Sequence, residues 1–139
     1  MAIATNGVLW GWGANDSGQL GNNATGGTIS APIQISAYTD WTIVAAGGLH
    51  TLGVRKDGTL WAWGANSDGQ LGDGSGIDHS APTQVGLDNT WTYISAGANH
   101  SAALKADNSL WTWGRNTDGQ LGNGKTTISV VPTSIPNPN

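Results

Sequence analysis

An all-β fold assembled from tandem copies of one four-stranded unit is what the sequence predicts, and three observations carry it. Trp10, Trp61 and Trp111 recur at intervals of 51 and 50 residues, with Trp12, Trp63 and Trp113 in step behind them. The surrounding text repeats as well: Leu-Trp-x-Trp-Gly at 9–13, 60–64 and 110–114, then Asn-x-x-Gly-Gln-Leu-Gly at 15–21, 66–72 and 116–122. Between these landmarks lie short apolar or alternating runs broken by glycine, and no segment holds helical spacing of useful length. Self-similarity at a period of this size is the mark of a repeat architecture.

Each unit divides into four strands. Trp41 to Gly47 and Trp91 to Gly97 read as strands ended by glycine, and their small residues suit a crowded innermost position. A second strand begins at His50 or His100 and runs into a hairpin at Asp57-Gly58 or Asp107-Asn108; Asn is a residue that tolerates positive φ. The Leu-Trp-x-Trp strand comes third. Its alternation sends both indoles to one face and the leucine to the other. Pro32 to Ile35, Pro82 to Val85 and Pro132 to Ile135 read as short edge strands, led by a proline that cannot donate to a neighbour.

The whole chain, 1–139, is therefore expected to be a single repeat domain with units 1–40, 41–90 and 91–139. Four-stranded units of about 50 residues, apolar on both faces, are what radial β-propellers use. Ile3 aligns with Val54 and Leu104, so the first unit is expected to lack its innermost strand and most of its second. The expectation is two complete blades plus an incomplete one, closed by association with further copies. A blade face of four strands projects roughly 330 Å², and an apolar patch of that size seldom stays bare. Two chains would supply about six blades, within the usual range of about 4–8, which favours a homodimer.

Composition narrows the function. Only 10% of residues are charged, the net charge is −4, and the five basic residues are scattered, so phosphate backbones and anionic lipid are poor partners. There is no cysteine for a disulfide or a thiolate metal site. No apolar run approaches the roughly 18 residues of a membrane span, and the first residues lack the basic start and apolar core of a signal peptide. The sequence thus reads as a soluble protein of unassigned compartment.

Candidate chemistry is sparse. His50 and His100 hold one repeat position and read, with Trp10, Trp12, Trp41, Trp61, Trp63, Trp91, Trp111 and Trp113, as the structural core of the repeat. His79 has no counterpart in its register, where Ile29 and Ser129 stand. The neighbouring Asp78 could orient its imidazole for general base work, but a solvated loop histidine is the preferred reading. Asp16, Asp68 and Asp118 sit in turns without the alternating acids of a calcium loop, and the chain has no Glu; Asx turns explain them better. No phosphate-cradling glycine motif is present. No catalytic residue, metal or cofactor is expected.

The Trp-x-Trp-Gly, Asn-x-x-Gly-Gln-Leu-Gly, Ala-Gly-x-x-His and Asp57-Gly58-Thr59-Leu60-Trp61 motifs together resemble regulator of chromosome condensation repeats, over essentially the whole chain. The resemblance implies a propeller, usually of seven blades. It also implies kinship with an exchange factor for a small GTPase, a plant ultraviolet-B photoreceptor and a secreted β-lactamase inhibitor. The photoreceptor's Gly-Trp-Arg-His-Thr motif falls here on Gly47-Gly48-Leu49-His50-Thr51, without its Trp and Arg, so that role is set aside. A non-enzymatic scaffold that assembles head to tail is the leading expectation, with an inhibitor or regulator of a specific partner protein, an exchange-factor-like one included, as the alternative. Its partner-facing loops would be 22–31, 73–81 and 123–131, with Asn22, Thr25, Asp73, Asp78, His79 and Lys125 as contact residues.

Overall fold

A computed structural model describes residues 1–136; the expected end of the third unit, at 137–139, lies outside the described residues. The first unit forms β1 (Ala2–Ile3), β2 (Leu9–Ala14) and β3 (Thr28–Gln34). The second forms β4 (Trp41–Ala46), β5 (His50–Arg55), β6 (Leu60–Gly64) and β7 (His79–Gln84), and the third β8 (Trp91–Ala96), β9 (His100–Lys105), β10 (Leu110–Gly114) and β11 (Ser129–Ile135). All pairings are antiparallel between successive strands, giving two four-stranded sheets and one of three strands. The protein is thus two complete propeller blades and an incomplete one. In the incomplete blade, β1 pairs only Ala2 with Trp10 and Ile3 with Leu9.

The period-2 alternation of the third strand determines which blade each side chain meets. Leu9, Leu20 and Ile35 of the first blade pack against Trp41 and Trp63 of the second. Leu52, Leu60, Leu71 and Val85 of the second pack against Trp91, Ile94 and Trp113 of the third. Every leucine of the Trp-x-Trp strand that meets a following blade is fully buried, and every tryptophan that meets a preceding one packs into the shared cluster. Indoles meet edge to face, as with Trp41 and Trp63 at 5.7 Å and 66°, the arrangement favoured by the ring quadrupole.

The prolines depart from expectation. Pro32, Pro82 and Pro132 stand inside the outer strands rather than at their heads. Register explains why. Gly11 pairs with Ile33 and Gly13 with Ile29, so three residues including Pro32 bulge opposite Trp12, and the other two blades repeat the irregularity. A bulge on an outer strand is where a residue without an N–H costs no ladder bond. The hairpin reading holds: Gly58 has φ 81° and Asn108 φ 63°.

A feature absent from the sequence reading closes the rim opposite the long loops. Arg55 grips Asp40 through Nε and Nη2, at 2.8 and 3.0 Å, and its guanidinium lies 3.8 Å from the centroid of Tyr38. In the third blade Lys105 lies 3.8 Å from the ring of Trp111 and pairs with Asp88, and mainly that ammonium, helped by Thr90, draws the Asp88 carboxyl down to about 2. Arg55→Met keeps the stem but loses the ion pair and the cation–π contact. It is expected to cost about 1 kcal/mol, read as a lower urea midpoint with unchanged slope.

Candidate functional site

Antiparallel connection sends two loops of every complete blade to the same edge. The 47–49 turn joins β4 to β5, and the longer 65–78 segment joins β6 to β7; His50 pairs with Gly64, which aligns their ends. The third blade does the same with 97–99 and 115–128, and the first with 15–27. These segments form one continuous face. Gly48 N donates to Gly97 O and Ala98 O, Asn23 N to Ser80 O at 2.8 Å, and Gly74 N to Val130 O at 2.9 Å, each bond crossing from one blade to the next. Asn99 Nδ2 reaches Asp68 Oδ2 at 2.7 Å across the same boundary.

A buried asparagine organises each long loop. Asn66 Oδ1 accepts the Leu71 amide, while Nδ2 donates to Asp73 Oδ1 at 2.9 Å and to the Ile77 carbonyl at 3.1 Å. Asn15 and Asn116 repeat this with Leu20 and Leu121, and with Asn22 and Asn123. Gln19, Gln70 and Gln120 add a second brace, each side-chain oxygen accepting the amide two residues earlier. The turn is therefore made by Asn and Gln, not by the Asp residues that the Asx-turn reading favoured. The repetition of Asn-x-x-Gly-Gln in three copies was the signal available in the sequence.

The frame is common and the tips differ. The loops proper are 22–27, 73–78 and 123–128, shorter than expected because β3, β7 and β11 begin earlier. The first loop carries no charge, the second has Asp73 and Asp78, and the third has Lys125. Thr25, Asp78 and Lys125 are exposed, whereas Asn22, Asp73 and His79 are half-buried. Apolar side chains stand among them: Ile77 is 64% exposed, Ile128 48% and Leu49 47%.

His79 differs from its expected setting in two respects. It opens β7 rather than lying in a loop, and its acid partner is Asp73, whose Oδ2 lies 2.7 Å from Nε2. Asp78 instead accepts the Asn66 amide. Burial pushes the Asp73 carboxyl up. The Ser75 amide and hydroxyl, His79 and Asn66 outweigh it and hold the group below the usual carboxylate range. The Ser75 hydroxyl donates to Asp73, not to the imidazole, so the three do not form a nucleophile–base relay. The cluster fixes the loop. Among the described residues, no three His, Asp or Glu side chains gather as a metal site would require. Nor, among the described residues, is any helix long and apolar enough to cross a membrane.

The core residues lie as follows. Trp41, Trp63, Trp91 and Trp113 are buried, Trp10, Trp61 and Trp111 half-buried, and Trp12 exposed. His50 is buried beside Gly47, and His100 is half-buried beside Gly97.

Known proteins share this pattern. The regulator of chromosome condensation (RCC1) repeat profile matches residues 6–54, 57–104 and 107–139, and a second profile of that repeat matches 41–70 and 91–120. The protein RCC2 homolog of Danio rerio is 44% identical over 80 residues, which are 56% of this chain and 16% of the relative. Human WBSCR16 superposes with a TM-score of 0.86 at 25% identity, covering 99% of this chain and 37% of that one. Yeast RCC1 (Prp20), solved bound to Kap60, superposes at 0.85 with 25% identity over 98% of this chain and 34% of the other. The chain thus spans little more than a third of these solved structures and less of the curated relative.

Proposed function

Because the chain belongs to the regulator of chromosome condensation (RCC1) repeat family, we propose that it is a non-enzymatic propeller-blade scaffold that binds protein partners through the face carrying the long loops. The observation behind this reading is the contrast between frame and tip. Identical Asn and Gln braces hold three loops whose outer residues are neutral, acidic and basic in turn, with Ile77 and Ile128 exposed between them. Rigid loops with mixed charge and isolated apolar side chains are what a protein-recognition surface offers. The yeast relative bound to Kap60 makes a protein partner the natural class. The same reading has the chains assemble head to tail, with blade packing against blade between copies as it does within one.

The test compares two faces. A variant with Ile77→Ser, Asp78→Ala, Lys125→Ala and Ile128→Ser changes the long-loop tips. A second, with Lys56→Ala, Asp57→Ala and Asp107→Ala, changes the opposite rim. Proximity cross-linking in cell extract is expected to give one protein set for the wild type and the rim variant, and to lose it in the loop-tip variant. Loss in the rim variant alone, or no specific protein with any of the three, overturns the proposal. For assembly, light scattering at micromolar concentration is expected to give a mass above one chain.

A further inference from the structure

Each junction between blades converges on one backbone carbonyl. Gln19 O accepts the Trp63 indole N–H at 3.0 Å and the Thr51 hydroxyl at 2.7 Å. Gln70 O accepts Trp113 at 2.9 Å and Ser101 at 2.7 Å. Two glycines of the same turn make the approach possible. A Cβ on Gly21 would stand 2.7 Å from Trp63 Nε1, and one on Gly72 would stand 2.7 Å from Trp113 Nε1. A Cβ on Gly18 would meet Ser80 Cα at 2.7 Å, and one on Gly69 would meet Val130 Cα at 2.8 Å. The turn of one blade is thus a slot, cut by glycine, for the indole and outer strand of the next.

Both halves of this junction also stand open. In the third blade a Cβ on Gly119 or on Gly122 would meet nothing within 4 Å, and no side chain among the described residues donates to Gln120 O. In the first blade Trp12 is 43% exposed, its indole N–H has no acceptor among the described residues, and Ser30, in the register of Ser80 and Val130, is exposed on β3. The third blade's outward face is also apolar: Tyr93 and Leu110 are exposed where the second blade packs Ile43 and Leu60 against its neighbour.

We infer that the first blade of a second copy docks on the third blade through this junction, with Trp12 over Gly122 donating to the Gln120 carbonyl and Ser30 against Gly119. The inference rests on the head-to-tail assembly proposed above and names its contact. A second copy is the occupant because the slot is built by the same seven-residue turn that twice within the chain receives a tryptophan from the same strand position. The contact is heterologous, since one surface meets a different one.

Trp12→Ala removes one half. Gly122→Asn fills the other, with a residue that tolerates the local φ of 67°. By light scattering, the wild type is expected to assemble, and each variant alone to run as a monomer with an unchanged far-ultraviolet spectrum. An equimolar mixture should recover a one-to-one dimer. In that mixture the intact slot of the Trp12→Ala chain meets the intact Trp12 of the Gly122→Asn chain, a rescue that a folding defect would not give. Trp12→Phe keeps a ring and drops the N–H. It is expected to weaken assembly about tenfold, and it carries the test should the alanine variant not fold. Variants that still assemble, or a mixture that stays monomeric beside an assembling wild type, overturn this junction and leave head-to-tail assembly standing. A monomeric wild type overturns both.

Discussion

Replacing Trp63 with alanine is expected to destabilise the protein by about 4 kcal/mol, against less than about 1 kcal/mol for Trp12→Ala at the same repeat position. Trp63 is 0% exposed, packs edge to face on Trp41, lies over Gly21 and donates to Gln19 O. Truncation therefore opens a cavity between two blades that only these side chains fill, and removes one of the two donors to a carbonyl at the joint. Neither effect can be relieved by one blade alone, because the backbone on each side is held by its own sheet. Within one chain Trp12 has the same chemistry in an open setting, so its loss removes little buried surface there. Urea unfolding of both variants, at protein concentrations below those of assembly, measures the difference as a shift in midpoint. Equal losses would mean that the Trp-x-Trp strands stabilise blades singly and not the contact between them.

Legibility of the fold followed the range of the interactions involved. The strand alternation and hairpin turns act over a few residues and repeat three times, so Leu60, Trp61 and Gly58 could be read directly from their neighbours. Pro82 misled because its missing N–H suggests a strand start, whereas a bulge against Trp63, set by pairing with another strand, lets it sit inside β7. The loop anchors needed more. Asn66 contacts Asp73 and Ile77, seven and eleven residues away, and its value comes from complete burial, which only the folded blade supplies. His79 likewise finds Asp73 across the loop rather than Asp78 beside it. The cation sites were hidden by the repeat itself. Arg55 and Lys105 share a register, but their acids, Asp40 and Asp88, do not, so aligning the copies separates partners that the rim brings together. The same kind of difference leaves Trp91 Nε1 buried without a partner among the described residues, since Gly86 stands where Ser36 serves Trp41.

Stability should fall as the pH drops from about 6.5 to about 4, and most of that fall should belong to His50. The ring is 1% exposed, with Nε2 2.9 Å from Ser101 Oγ. Ser101 has committed its own proton to Gln70 O, so its oxygen can only accept, and Nε2 of His50 must carry the hydrogen. Nδ1 is then the basic nitrogen, buried beside Gly47 with no partner among the described residues. A proton added there would place a charge in a site without an acceptor. Burial, with a smaller contribution from the His100 charge, accordingly lowers the imidazole from 6.5 to about 4. Between these values the unfolded chain binds a proton that the folded chain refuses. The contribution of neutral His50 is whole above 6.5 and shrinks by about 3 kcal/mol as the pH approaches 4. Asp88 answers in a lower window, since its carboxyl is drawn down to about 2 and its pairing fails only as the pH falls past the ordinary carboxylate range towards that value. His50→Gln keeps a donor near Nε2 and removes the titrating base, so urea unfolding between pH 7.5 and 4.5 should give a flatter profile for the variant. Parallel profiles would place the acid sensitivity elsewhere and show that His50 titrates in the folded blade as it does in the unfolded chain.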